Sequence, residues 1–198
     1  MPMKKTYTAD EFYALGLTEP CELINGKIVS LWGSTDPVNE GQTNISPSPN
    51  IRHQRLSSDI LYEIKHYIRK NKGKCEVFCS PTDVKLSSGE VVVPDIFITC
   101  DPEKFDEQKY NGAPDLIIEI VSPHNIERDL QDKPLIYKNA GVREYWIVNP
   151  MNEKVTVFQF GQPTITEFYS FDDIIPMGIY KDMPEQLTIC ISDLENNR

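Results

Sequence analysis

Apolar residues recur along this chain with two periods, one typical of helices and the other typical of strands. From Ile51 to Lys70 the helical period places residues 53, 57, 60, 64 and 68 on one face. Short runs of strand-forming residues follow, separated by turn residues. The predicted strands cover residues 75–79, 83–86, 91–93, 96–99, 115–121, 144–148, 155–160 and 165–169, with a weaker one at 187–191. This order of elements indicates a mixed α/β or α+β domain.

Two local motifs organise the N-terminal part. Thr8 and Glu11 have the spacing of a capping box, which predicts a short helix through Leu15. Asn25-Gly26 lies between two strand-forming runs, and this dipeptide is the strongest short signal for a β-hairpin. Residues 33–50 are rich in Pro, Ser, Asn and Gly and have no apolar period, so we interpret them as a long loop.

A second helix is predicted from about residue 125 to 139, with Gly141 at its C-terminal end. Pro134 interrupts this stretch, because proline in a helix interior removes a hydrogen bond. Two interpretations follow. The helix is either kinked at Pro134, or it restarts there with Asp132 as the N-cap and the proline in its first turn.

Lys133 lies in this helical stretch. If the helix is continuous, Lys133 shares an inward face with Ile126, Leu130 and Tyr137. A lysine on such a face either extends its ammonium group to solvent or meets a buried anion. The alternative is an exposed lysine paired with Asp129, four residues earlier.

Composition limits the classes of protein that fit. A length of 198 residues favours a single domain, which we place at residues 1–198. Its core is expected at about 8–160, and a strand-forming C-terminal extension at about 161–198. With 30 acidic and 20 basic residues the net charge is −10, which argues against a general nucleic-acid coat protein. Residues 52–74 are locally basic, so a contact with phosphate on that segment stays open.

The cysteines indicate a cellular compartment. There are five, which is an odd number, and no C-x-x-C pair occurs, so we interpret them as reduced thiols in a cytoplasmic protein. Cys75 and Cys79 are expected to be small apolar residues of a strand rather than zinc ligands. The N-terminus lacks the apolar segment of a signal peptide, and no apolar run is long enough to span a membrane.

Two acids break the apolar pattern of the predicted strands. Asp95 lies between Val91–Pro94 and Ile96–Ile98, and Glu119 lies within an otherwise apolar strand. A carboxylate in such a place must be paired, bind a metal or face a cleft. If the two acids converge from adjacent strands, they form an oxygen-rich site suited to Mg²⁺ or Mn²⁺. The alternative is that each acid caps a strand or pairs with a lysine.

These residues resemble a known signature. Pro94-Asp95 followed by Glu119-Ile120-Val121 is similar to the PD-(D/E)XK nuclease motif. The chain more closely resembles the Uma-two family of restriction-endonuclease-like proteins. The matching segments, spread over about residues 8–160, are CELINGKIV, SPSPNIRHQRLSSDILYEI, VVVPDIFITCDP, GAPDLIIEIVSP and RDLQDKPLIYKNAGVREYWIVNP.

The resemblance implies a restriction-endonuclease-like core, with a mixed sheet flanked by helices and the site at one sheet edge. Asp95 would be the principal metal ligand and Glu119 the second, with the Ile120 carbonyl nearby. Val121 occupies the position of the superfamily's lysine, and Lys133 is the residue that would replace it. The resemblance also gives supporting roles to Glu22 in the metal shell and to His53 near the phosphate. The alternatives are a solvent-facing strand residue for Glu22 and a core or capping histidine for His53. Ser122 is a candidate to orient Glu119.

Together these observations predict a Mg²⁺- or Mn²⁺-dependent endonuclease that hydrolyses DNA, with Asp95, Glu119 and Lys133 as the catalytic set. Arg52 and Arg55 are candidate phosphate contacts. The rival interpretation is a catalytically silent interaction or nucleic-acid-binding module on the same fold. RNA as the substrate stays open, and a homodimer is plausible because cutting both strands of a duplex suits two symmetric sites.

Overall fold

A computed structural model describes residues 5–31, 50–122 and 126–196, and for residues 126–128 it describes the backbone alone. The helices are α1 (Ala9–Ala14), α2 (Ile51–Lys70), α3 (Ile126–Gln131), α4 (Lys133–Ala140) and α5 (Ile191–Asn196). The strands are β1 (Cys21–Ile24), β2 (Lys27–Ser30), β3 (Glu76–Cys79), β4 (Asp83–Ser87), β5 (Glu90–Val92), β6 (Ile96–Thr99), β7 (Lys109–Asn111), β8 (Leu116–Ile120), β9 (Glu144–Asn149), β10 (Lys154–Gln159), β11 (Ile165–Ser170), β12 (Ile175–Pro176) and β13 (Thr188–Ile189).

The local motifs form as predicted. Thr8 and Glu11 make the capping box of α1, with side-chain to backbone hydrogen bonds in both directions. Asn25 and Gly26 both have positive φ, as the tight turn between β1 and β2 requires. Helix α2 has the predicted bounds, Ile51–Lys70, and Asn50 caps its first turn. The predicted loop at 33–50 falls almost entirely outside the described residues.

The strands form two large sheets and one small one. The order is β2-β1-β5-β4-β7 in the five-stranded sheet and β11-β10-β9-β8-β6-β3 in the six-stranded sheet, while β12 and β13 pair separately. Strand β8 runs parallel to β9 and antiparallel to β6. All five residues of β8 are buried, which explains why its apolar run does not alternate.

The core occupies both faces of the six-stranded sheet. On one face, Leu56, Ile60 and Ile64 of α2 pack with Ile118 of β8 and Trp146 of β9. The residues of the opposite face pack against the five-stranded sheet and α4, forming a cluster that includes Ile24, Val84, Val92, Phe97, Ile117, Tyr137 and Tyr145. Residues that alternate with Ile118 on β8 therefore point into the space between the two large sheets.

The segment from β5 to β6 carries the chain from one large sheet to the other. Strand β5 pairs with β1 and β4 in the five-stranded sheet, whereas β6 pairs with β3 and β8 in the six-stranded sheet. Val93, Pro94 and Asp95 form this crossing. Asp95 thus lies where the two sheets meet, directly before the first residue of β6.

The second predicted helix is broken into two. Helix α3 ends at Gln131 and α4 begins at Lys133, with Pro134 in its first turn, so the restart interpretation is correct. Gly141 ends α4 with φ of 98°, as predicted for a C-terminal glycine. Leu130 is 42% exposed, so the inward face predicted for a continuous helix is wrong at that residue.

The C-terminal part packs on the core and includes a helix that was not predicted. Strand β11 extends the six-stranded sheet beside β10, and β12 pairs with β13. Residue Ile191, expected at the end of a strand, instead begins α5, which contacts α2. The weaker strand predicted at 187–191 is therefore shortened to two residues.

Two of the five cysteines are not reduced thiols. Cys75 and Cys100 form a disulfide that joins the chain before β3 to the chain after β6. The prediction failed because the register of β3 with β6 places these residues opposite each other, although 25 positions separate them in sequence. The cytoplasmic location was inferred from reduced thiols and loses that basis. Within the described segments, no helix has the length and apolar character needed to cross a membrane.

Candidate functional site

Asp95 and Glu119 come together from neighbouring antiparallel strands. Ile96 of β6 pairs with Ile118 of β8, so the residues that flank this pair, Asp95 and Glu119, are also neighbours. The backbone N–H of Asp95 donates to Glu119 Oε2 at 3.4 Å. The two acids that the sequence predicted to converge are therefore neighbours in the fold, with the Asp95 backbone in contact with the Glu119 carboxylate.

The Asp95 carboxylate is held on one of its two oxygens. Its Oδ2 accepts a hydrogen bond of 2.7 Å from the backbone N–H of Ile120 and lies 3.1 Å from His53 Nε2. The Asp95 side chain keeps 20% of its surface exposed. This acid is thus fixed in place by β8 and by the first turn of α2 while it stays accessible to solvent.

The Glu119 carboxylate is buried between the two large sheets. Its Oε1 accepts one hydrogen bond of 2.7 Å from Lys133 Nζ and another of 2.8 Å from the Tyr137 hydroxyl. Lys133 and Tyr137 are four residues apart on α4, so they occupy the same side of that helix. Two donors therefore hold Oε1, while Oε2 faces the backbone of Asp95.

Lys133 is surrounded by carboxylates. Its Nζ lies 2.7 Å from Glu119 Oε1, 3.2 Å from Asp129 Oδ1 and 3.2 Å from Glu22 Oε1. Only 3% of its side chain is exposed. An ammonium group has three N–H donors, and three carboxylates lie around this one. The ammonium thus hydrogen-bonds to Glu119 and forms ion pairs with Asp129 and Glu22.

Glu22 reaches this cluster from the five-stranded sheet. It alternates on β1 with Cys21 and Leu23, which pack on the outer cluster beside α1, so its own side chain points toward the six-stranded sheet. Glu22 is fully buried, and its Oε1 also accepts from the backbone N–H of Val93 at 3.2 Å. The alternative of a solvent-facing Glu22 is therefore wrong.

Burial and charge shift the pKa values of the site in different directions. Burial, together with the nearby Asp129, Asp95 and Glu22, raises the pKa of Glu119 to about 8 against the attraction of Lys133. Burial would lower the pKa of Lys133, but the three carboxylates outweigh it and the net shift is upward. The pKa of His53 is also raised, because its contacts with Asp95 outweigh the effect of burial.

Sequence reasoning underestimated two residues of this cluster. Asp129 was expected as the partner of an exposed lysine, but it is 3% exposed and pairs with Lys133 inside the protein. Tyr137 was expected as an apolar core residue, and its hydroxyl instead binds Glu119. Their spacing of four residues on either side of Lys133 was the available signal, because residues at that spacing face each other on a helix.

Other predicted residues lie elsewhere. The guanidinium of Arg52 binds Glu195, Glu153 and the carbonyl of Pro150, so the predicted phosphate contact is not supported for this residue. Arg55 is exposed and stays a candidate. Within the described chain, no hydrogen bond joins Ser122 to Glu119, so its orienting role is unsupported as well.

The resemblance implied a site at a sheet edge, but the structure places these residues on an interior strand. Strand β8 is an interior strand of the six-stranded sheet, with β9 on one side and β6 on the other. The carboxylates gather at the C-terminal end of β8, where the chain crosses between the two sheets at Asp95. The five-stranded sheet, which contains β1 and β5, covers the face of β8 that carries Glu119.

The donor atoms fit a hard divalent cation. Among the described residues, no group of three or more His, Cys, Asp or Glu side chains is arranged to hold a metal ion. Asp95 and Glu119 instead provide a pair of carboxylates. Mg²⁺ is commonly bound by one or two carboxylates, with water and substrate phosphate as its remaining ligands. The chemistry of this pair therefore suits Mg²⁺ or Mn²⁺.

Comparison with known proteins agrees with this description. The family described as Uma2, "Putative restriction endonuclease", matches residues 9–179. A crystal structure described as a putative nuclease belonging to DUF820 from Anabaena variabilis ATCC 29413 has a TM-score of 0.70 and 23% sequence identity, covering 94% of this chain and 96% of that one. The curated proteins contain no match.

The structural likeness confirms the predicted fold class, a mixed α/β core with additional strands at its ends. The family match extends over most of the chain, including Asp95, Glu119 and Lys133, and supports a nuclease-like function. The chain belongs to the Uma2 family.

Proposed function

We propose that this protein is a metal-dependent endonuclease that hydrolyses phosphodiester bonds of DNA. The observation that carries the proposal is that Asp95 and Glu119 are neighbours. The backbone N–H of Asp95 lies 3.4 Å from Oε2 of Glu119. Asp95 is the group through which the site is open to solvent, and Glu119 lies directly behind it. Mg²⁺ or Mn²⁺ is the proposed cofactor.

Each residue has a part in this proposal. Asp95 and Glu119 would hold the cation, with the Ile120 carbonyl as a further candidate ligand. A bound Mg²⁺ lowers the pKa of a coordinated water and offsets charge on a phosphate. The chain's own work is to fix the two carboxylates: His53 and the Ile120 N–H hold Asp95, while Lys133 and Tyr137 hold Glu119.

Lys133 takes a different role from the one expected from sequence. A lysine that orients the attacking water or contacts the phosphate needs an ammonium group open to the substrate. Three carboxylates surround the Lys133 ammonium, and only 3% of its side chain is exposed. We therefore assign Lys133 as a positioning residue that acts through Glu119. Glu22 and Asp129 also act indirectly, because they form ion pairs with Lys133 and so help to fix it beside Glu119.

A cleavage assay tests the proposed function. Purified protein is incubated with single-stranded and duplex DNA in the presence of Mg²⁺, Mn²⁺ or EDTA. We expect cleavage with either cation and none with EDTA, and Asp95→Asn should abolish it. Arg143→Gln is a matched control, because Arg143 is exposed and pairs with Asp115 outside the site. Equal cleavage by wild type and Asp95→Asn would contradict the assignment.

Mn²⁺ binding separates the enzyme from its rival, a catalytically silent module. Calorimetric titration should show binding to wild type that is lost in Asp95→Asn. A wild-type protein that binds no Mn²⁺ at millimolar concentration and cleaves no DNA would favour the silent module. The homodimer, the single-domain organisation and the cytoplasmic location stay predictions, and sedimentation analysis of the purified protein tests the first of them.

A further inference from the structure

The exposed face of α2 differs in charge from the rest of this acidic protein. At 100° per residue, the exposed positions from Arg55 to Arg69 fall within a sector of about 100°. The ionisable and aromatic residues of this sector, here called the α2 stripe, are Arg55, Tyr62, Lys65, His66 and Arg69. None of them is acidic, although the chain as a whole has a net charge of −10.

The cations of the α2 stripe are available for a partner. Within the described residues, Arg55, Lys65 and Arg69 make no ion pair with a carboxylate. Other basic residues of the same helix are already paired, since Arg52 binds Glu195 and Lys70 binds Glu185. The unpaired positive charges of α2 are therefore concentrated on the side that faces solvent.

An aromatic platform lies between these cations. The Tyr62 side chain is 64% exposed. It stacks on His66, with ring centroids 6.0 Å apart and an interplanar angle of 20°. Arg55 and Arg69 lie on either side of this pair along the helix. Cations that track a phosphate backbone, combined with exposed aromatic rings on which bases stack, are typical of proteins that bind single-stranded nucleic acid.

The α2 stripe begins near the candidate site along the helix axis, on the opposite side of the helix from His53. Arg55 follows His53 by two residues, so at 100° per residue their side chains lie about 160° apart, and the His53 imidazole contacts Asp95 at 3.1 Å. Arg69 is about 21 Å further along the helix, at 1.5 Å per residue. Lys65 and Arg69 also line a groove between α2 and β3. Glu76 and Cys79 of β3, and Thr82 in the turn after it, line the same groove. The path from Arg69 to Arg55 is thus long enough to contact several nucleotides.

We propose that the α2 stripe binds a single-stranded segment of nucleic acid, with phosphates on Arg55, Lys65 and Arg69 and an unpaired base on Tyr62. The link between this bound segment and cleavage at Asp95 rests on the proposed nuclease function, whereas the binding itself does not. Duplex ends, gaps and loops would supply such a segment. A continuous duplex would not, because its bases are stacked on each other and cannot reach Tyr62.

Fluorescence anisotropy in EDTA tests the proposal with labelled oligothymidylate and a hairpin-free duplex of equal length. The test variant is Arg55→Glu/Arg69→Glu. The matched control is Lys154→Glu/Lys181→Glu, which changes the net charge equally and alters exposed lysines outside α2. We expect the test variant to bind the single strand at least tenfold more weakly than the control. The slope of log K against log salt concentration should fall by about 1.4 for two lost phosphate contacts on a single strand.

Tyr62→Ala tests the aromatic part, because base stacking on an aromatic ring contributes about 5- to 150-fold in affinity. This substitution should weaken single-strand binding and leave duplex binding unchanged. Equal affinities of the test and control variants would overturn the proposal, as would tighter duplex binding that Tyr62→Ala does not affect. Binding is measured in EDTA, so its result does not depend on cleavage. A protein that binds the single strand in EDTA but does not cut DNA in Mg²⁺ or Mn²⁺ would contradict the proposed nuclease and leave this inference standing.

Discussion

Lys133 Nζ lies 2.7 Å from Glu119 Oε1, and both side chains are almost completely buried. The lysine comes from α4 and the glutamate from the interior strand β8, so this contact joins the helix layer to the central sheet. A buried charge without a partner is strongly unfavourable, so each group requires the other. The pair therefore links the stability of the fold to the geometry of the candidate site.

Lys133→Met should destabilise the protein by about 3–5 kcal/mol, because it leaves buried carboxylates without their cation. Urea unfolding followed by circular dichroism measures this change in the free energy of unfolding. Lys138→Met is the control. Lys138 is exposed on the same helix, so its replacement should alter the free energy of unfolding by no more than about 0.5 kcal/mol. Similar losses in the two variants would contradict the role of the buried cluster.

A double variant tests whether the effect arises from charge. Lys133→Met/Glu119→Gln removes the cation together with one of the acids around it. We expect it to be less destabilised than the sum of the two single variants, since groups in contact show coupling energies of about 0.5–3 kcal/mol. Additive losses in the double-mutant cycle would show that the lysine contributes through packing alone.

Tyr137→Phe should weaken Mn²⁺ binding by about 10- to 100-fold, the usual cost of removing a hydrogen bond that orients a metal-binding side chain. The hydroxyl of Tyr137 holds Glu119 Oε1, and without it the carboxylate can rotate away from Asp95. Calorimetric titration with Mn²⁺ gives the affinity independently of cleavage.

Tyr145→Phe is the matched control for this experiment. Tyr145 is equally buried, but its hydroxyl donates to the backbone carbonyl of Asp129 at 3.1 Å instead of to a carboxylate. Its replacement should leave the Mn²⁺ affinity within about threefold of wild type. If both variants lose the same affinity, the effect of Tyr137 is one of general packing.

His53→Gln should lower kcat by about 10- to 100-fold and leave KM for DNA nearly unchanged. The imidazole holds Asp95 Oδ2 at 3.1 Å and is itself buried, so it supports the carboxylate and does not bind the strand. Steady-state kinetics with a labelled oligonucleotide separates the two constants. A rise in KM at constant kcat would instead indicate a direct contact of His53 with DNA.

Glu144 should make the stability of the protein depend on pH. Burial raises its pKa more than the donors Trp146 Nε1, Gly178 N and Ile179 N lower it. The folded state therefore retains a proton that the unfolded state releases near pH 4.5. The resulting stabilisation is complete below that pH and declines as the pH rises through the folded-state pKa.

The decline should reach at most about 1.4 kcal/mol per pH unit for a single proton. Urea unfolding between pH 4 and pH 8 measures it. Glu144→Gln should show a flatter profile, because the amide does not titrate. Glu167→Gln, on β11, is the control and should follow the wild-type profile. Identical profiles for wild type and Glu144→Gln would contradict the prediction.

The sequence predicted elements well where a local interaction determines them. Thr8 with Glu11, Asn25 with Gly26, and the helix from Ile51 to Lys70 each depend on residues a few positions apart. The convergence of Asp95 and Glu119 was also predictable, because both interrupt apolar strands and the family motif pairs them.

The remainder of the site depends on which elements cover which faces. Periodicity shows that Glu22 and Leu23 point to opposite sides of β1, but it does not show that a second sheet covers the side of Glu22. The same limitation applies to Asp129, because periodicity does not show which elements cover its side of α3. Arg52 was a candidate phosphate contact because it lies in the basic segment 52–74. Its partner Glu195 could not be anticipated, since it belongs to a helix that the strand pattern did not predict.

The ion pair between Arg52 and Glu195 connects α5 to the helix that supports the candidate site. Arg52 directly precedes His53 in the first turn of α2, and Glu195 belongs to α5, beyond residue 179, where the family match ends. In this chain, a helix outside the matched family region thus holds the turn that carries His53, the hydrogen-bond partner of Asp95. Shortening the chain to the matched region would remove this support, so a form without α5 is a poor substitute for the chain that contains it.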